Sequence, residues 1–75
     1  MSVQYRVSFA KNDEAVDGPD DADVVVTISA ADAALPPATA FMFGKLKSTG
    51  STGQLFAVFR DGSAAAAISR LASRP

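Results

Sequence analysis

Residues 41–62 read FMFGKLKSTGSTGQLFAVFRDG, and this stretch decides how the chain is built. Phe41, Met42 and Phe43 form an apolar cluster closed by Gly44, a residue suited to ending a helical turn. Lys45-Leu46-Lys47-Ser48-Thr49 then alternates, with Leu46 directed inward as in a strand. Gly50 and Gly53 bracket Ser51-Thr52, a favourable start for a helix. The helix is expected over 54–60, with Leu55, Phe56 and Phe59 on one face. Asp61-Gly62 is its stop. Large apolar side chains recur here without any His, Cys or nucleophile pair. That pattern points away from catalysis, and towards holding something apolar or towards a small core and nothing more.

Upstream, Val3, Tyr5, Val7 and Phe9 alternate with Gln4, Arg6 and Ser8. Period two predicts a strand with one buried face. Lys11-Asn12-Asp13-Glu14 supplies a turn, and 15–19 is expected to hold a brief edge strand that Pro19 stops. Asp20 to Asp23 continue an acidic loop. Residues 24–29 predict a second strand from their β-branched content, placed centrally because both faces carry apolar surface. Ser29 is set to cap a helical turn over 30–35, ended by Pro36-Pro37. A further turn is expected over 39–43. Ser63 is the expected cap of a last helix over 64–73, with Ala64, Ala67, Ile68 and Leu71 as its buried stripe. Arg70 and Arg74 fall near the end, where cations complement the helix dipole.

Strands in series with helices grouped late imply an α+β class: a small antiparallel sheet with helices packed on one face. With 75 residues the chain is read as one domain over 1–75, short enough that self-association or a core-filling ligand is expected to support it. No cysteine is present, which excludes disulfides and thiolate metal sites. No histidine is present, which removes the commonest metal ligand and general base. Seven basic against eight acidic residues leave no concentrated basic surface for nucleic acid. No run approaches transmembrane length, and the polar, alternating start is not a signal peptide. A cytoplasmic protein is the expectation.

Candidate chemistry is sparse. Asp13, Glu14, Asp17, Asp20, Asp21 and Asp23 lack the spacing of a calcium loop and read as a solvated loop. The amides of 51–54 open a helix and attract anions, as helix starts do, with Lys45 and Lys47 upstream; an ordinary capped helix beside two solvated lysines accounts for the same residues. Serine, threonine and lysine have no base at a recognised spacing, so no catalytic residue is assigned. The apolar residues of the C-terminal half fit a plain core, and five phenylalanines equally suit the walls of an apolar pocket.

Three segments resemble the sterol-carrier-protein type 2 family of lipid-binding domains. Asp23-Val24-Val25-Val26-Thr27-Ile28-Ser29 is similar to the family's Asp-led strand of β-branched residues. Ala40-Phe41-Met42-Phe43-Gly44-Lys45-Leu46-Lys47 closely resembles its AFM-x-GKLK segment. Gly50-Ser51, followed by an apolar helix ending near Phe59, resembles its helix start. The resemblance covers residues 22–59 and implies a five-stranded, largely antiparallel sheet with a hydrophobic tunnel between sheet and helices. It implies passive binding of a fatty acid, fatty acyl-CoA, sterol or phospholipid, without a cofactor. The implied lining is Phe41, Met42, Leu46, Leu55, Phe56, Phe59, Ile68 and Leu71, with Lys45 and Lys47 for an acidic head group. Members carry an N-terminal helix and a first strand that this sequence lacks, so a homodimer is expected to cover the edge. A structural or dimerising module that has lost the pocket is the alternative.

Overall fold

The computed structural model describes residues 2–73. Strand β1 spans Val3–Ala10, β2 Asp13–Asp17, β3 Val24–Ser29 and β4 Leu46–Thr49. Helix α1 spans Pro37–Met42, α2 Thr52–Arg60 and α3 Ser63–Ala72, and a single 3-10 turn over Ala30–Asp32 follows β3. The class is α+β. The sheet order is β2-β1-β3-β4.

The sheet is mixed. β2 and β4 pair antiparallel with their neighbours, but the central β1–β3 pair is parallel, Val3 opposite Val24 and Val7 opposite Ile28. Strands in series predict an antiparallel sheet, and the central pair departs from it. The difference lies in the connection. Asn12, at φ 64°, turns the chain into β2, which runs back along β1. Residues 18–23 then cross the start of β1 and release β3 on its other side. A parallel pair needs a long crossover, and here β2 is part of it.

The crossing is tight. Gly18 sits at φ +114°, and a Cβ there would lie 2.5 Å from the Val3 carbonyl oxygen. Only glycine tolerates both demands. Ser2 ties the far end of the loop: its Oγ accepts from the Asp23 amide at 3.1 Å, and its carbonyl accepts from the Val24 amide. Gln4, a polar residue expected at the solvent face, is 1% exposed beneath this loop. Its Nε2 donates to the Pro19 carbonyl and to Asp20, and its Oε1 accepts from Arg6 Nε. Every polar end is paired, which removes the cost of burying it.

One face of the sheet carries the core. Tyr5, Val7, Val24, Val26, Ile28 and Leu46 meet Ala40, Leu55, Val58, Ala64, Ala67 and Ile68 from the helices. Alternation on β1 and β3 delivers this set, and α3 supplies it with small residues that let the helix approach β1 and β2. Arg70 on α3 forms an ion pair with Asp17 on β2, and Arg6 pairs across the hairpin with Glu14 at 3.2 Å.

Several element ends differ from the sequence expectation, each for a local reason. β2 begins at Asp13 because the turn is completed by Lys11-Asn12. α1 begins earlier than expected, at Pro37, whose fixed φ and missing N–H suit the first helical position. α2 starts at Thr52, with Ser51 Oγ accepting from the Gln54 amide at 3.4 Å. Ser63 is not the cap of α3. Gly62 stands there at φ 86°, and Asp61 Oδ1 accepts from the Ser63 amide at 2.8 Å. Arg74 lies outside the described residues.

Tyr5 is the sole tyrosine, 7% exposed in the core. Burial, and then the charges of Asp61 and Asp17, push its phenol above the ordinary value of 10.0. A raised folded-state value holds the proton in the native state after the unfolded chain would release it. This stabilisation is complete below pH 10.0 and is lost as pH rises towards the folded value. An alkaline titration followed by tyrosinate absorbance is expected to give a midpoint above 10.0, together with loss of structure. A midpoint at 10.0 with the helices intact would contradict the buried placement.

Candidate functional site

The site is assembled by the turn that ends α1. The Lys45 amide donates to the Ala40 carbonyl at 2.8 Å and the Gly44 amide to the Phe41 carbonyl at 3.2 Å. With Gly44 at φ +72° this is a Schellman closure, in which a left-handed residue lets two amides satisfy the last carbonyls of the helix. The closure turns the chain sharply into β4. Ala40 is left wholly buried and Phe41 half-buried, while Met42 and Phe43 project outward at 79% and 68% exposure.

Phe41 reaches α2, where it meets two more rings. Its centroid lies 5.7 Å from that of Phe56, edge to face, and 6.0 Å from that of Phe59. Phe56 and Phe59 are themselves 6.0 Å apart. These separations fall in the favourable range for ring pairs, each contributing about 0.5–1.5 kcal/mol beyond burial. Phe59 is half-buried and packs on the core, but Phe56 remains 48% exposed. Met42, Phe43 and Phe56 therefore leave large apolar side chains in solvent at one end of the molecule.

The residues expected to line a single tunnel divide into groups. Leu46, Leu55 and Ile68 are 3%, 1% and 2% exposed and pack within the sheet–helix core. Among the described residues no cavity separates the two layers. Phe41, Phe56 and Phe59 form the ring cluster at the surface. Met42 stands outside it, and Leu71 on α3 is half-buried against the core. Leu55 and Phe56 are neighbours on α2, about 100° apart around the helix axis. That is why one points in and the other out. Lys45 is exposed just past the α1 turn. Lys47, opposite Thr27, projects from the outer face of the sheet, away from Leu46. The lysines thus do not converge. Phe43 was part of the apolar set in the sequence but not of the expected lining; the signal for its exposure is the Gly44 stop immediately after it.

Charge is divided along the chain. Every acidic residue except Asp61 precedes Pro36, and Lys45, Lys47 and Arg60 are the only charged residues from Pro37 to Arg60. None of these three cations forms an ion pair among the described residues. Asp61 is held below its ordinary value by hydrogen bonds from the Ser63 side chain and amide, so it remains ionised as a cap. Among the described residues no three carboxylates gather as a metal site, and Glu14 and Asp17 on β2 are engaged by Arg6 and Arg70. No family model, curated protein or solved structure matches the chain.

Proposed function

We propose that this chain is a non-catalytic binding domain for a lipid-like apolar ligand: a fatty acid, fatty acyl-CoA, sterol or phospholipid. The observation that carries the reading is the triangle of Phe41, Phe56 and Phe59, packed on the core yet left open at Phe56. A ligand chain laid along Phe56 and Met42 gains about 25 cal/mol for each Å² taken out of water. In this reading Lys45, exposed just past the α1 turn, meets the acidic head group. The seat is an open surface rather than the enclosed tunnel implied by the sterol-carrier resemblance, and the likeness of residues 40–47 to that family supports the same ligand class. Nothing is transformed and no cofactor takes part. The reading places the domain in the cytoplasm. Among the described residues no helix is long and apolar enough to cross a membrane.

A second reading has its own observation. Met42 and Phe43 project further than Phe56, and such a face also suits a homodimer or a structural partner, with protein in place of lipid. A titration with a fluorescent fatty acid separates the two. Wild type is expected to take up ligand stoichiometrically, and Phe56→Ser to lose at least about tenfold in affinity, or about 1.4 kcal/mol. The variant is expected to stay folded, because only a half-exposed ring and its two ring contacts are removed. Absence of uptake by wild type, or equal affinity in Phe56→Ser, would remove the ligand seat.

A further inference from the structure

We propose that the end of the molecule bearing Met42 and Phe43 docks on an anionic lipid bilayer. The proposal rests on the reading of this end as an apolar binding surface, but not on any particular bound ligand. Two independent features support it.

The first is shape. Met42 and Phe43 are the most exposed of the large apolar residues, presented side by side by the Gly44 closure. At these exposures they project from the surface rather than line a groove. An amphipathic helix from a partner protein needs a groove to receive its apolar face. A bilayer interface needs none, because it accommodates projecting Phe and Met side chains among the head groups and upper acyl chains.

The second is charge. The net charge of −1 conceals a division. Lys45 lies two residues beyond Phe43, and Arg60 lies one turn beyond Phe56 on the same side of α2. Lys47, on the adjacent strand, projects from the outer face of the sheet and adds only longer-range positive potential. All three are exposed and none is neutralised by an ion pair among the described residues. An anionic surface attracts each such cation within a Debye length. A symmetric contact between two copies through this face would instead bring like charges together.

Sedimentation with vesicles tests the proposal, comparing phosphatidylcholine alone with phosphatidylcholine containing phosphatidylglycerol. Wild type is expected to partition to the anionic vesicles, with binding that falls as salt is raised. Phe43→Ser and Arg60→Glu are each expected to weaken that partition at least about tenfold. Both positions are exposed, so thermal melting is expected to be unchanged and serves as the control for folding. Failure of wild type to bind anionic vesicles would overturn the proposal. So would equal binding by both variants, which would place the contact elsewhere. A dimer in solution that Phe43→Ser converts to monomer would give the face to a second copy, and capture of an acidic amphipathic peptide without vesicle binding would give it to a protein partner. Either result overturns bilayer docking. Fatty-acid titration without vesicles reports separately on the ring cluster, so loss of that ligand with docking retained would remove only the proposed seat.

Discussion

Leu55→Asp is expected to leave the chain unfolded at neutral pH. Leu55 is 1% exposed, on the inner face of α2 within the core between the sheet and the helices. The substitution removes a well-packed side chain and places a carboxylate where no cation waits. Loss of packing alone costs about 2–5 kcal/mol for a large-to-small change in a core, and an unpaired buried charge adds several more. A domain of this size has a total stability of only about 4–11 kcal/mol. Circular dichroism is expected to show a disordered chain at room temperature. A cooperative melt close to that of wild type would mean that Leu55 faces an accommodating cavity or solvent, contrary to the packing described. This residue cannot therefore serve as a probe of ligand binding that spares the fold. Phe56, half in solvent, can.

The second large effect is expected at Gly50. It follows β4 at φ +98°, and a Cβ at this position would overlap the Asp23 carbonyl oxygen and crowd the Val24 Cα. Both contacts are with backbone, which cannot rotate away. Asp23 is also fixed by the exchange of hydrogen bonds with Ser2, its amide to Ser2 Oγ and its carboxylate from the Ser2 amide. Gly50→Ala is thus expected to lower stability by about 3 kcal/mol or more, since strain from the left-handed backbone alone amounts to about 1–3 kcal/mol. Chemical denaturation is the appropriate measurement. Gly44→Ala offers the comparison: it shares a positive φ of 72° but has open space around its Cβ, so a smaller loss is expected. Equal losses at the two positions would show that the Asp23 contact does not matter.

The elements legible in the sequence were those fixed by local pattern. Alternation at Val3, Tyr5 and Val7 gave β1, and the β-branched run gave β3. The Gly44 stop and the Ser51 cap framed β4 and α2. The parallel pairing of β1 with β3 was not legible, because it depends on the path of residues 18–23 across β1 and on Gly18 permitting that crossing. No periodicity records the side of a neighbour on which a strand emerges.

The candidate site was legible as a composition and not as a surface. Phe41, Phe56 and Phe59 share the expected lining, and their rings meet. Leu46, Leu55 and Ile68 belong to the same expected lining, yet they fill the core. Apolar character is the same for a residue that packs and one that binds. Only the three-dimensional packing separates Leu55 from Phe56, adjacent on one helix. Lys45 and Lys47 show the same limit, since alternation along β4 sends Lys47 to the outer face.

Native mass spectrometry of freshly purified protein, without delipidation, tests the proposed binding role most directly. The account predicts a mass excess on the chain that matches a fatty acid, fatty acyl-CoA, sterol or phospholipid, reduced in Phe56→Ser. A protein free of adduct that also fails to take up added fatty acid would contradict it.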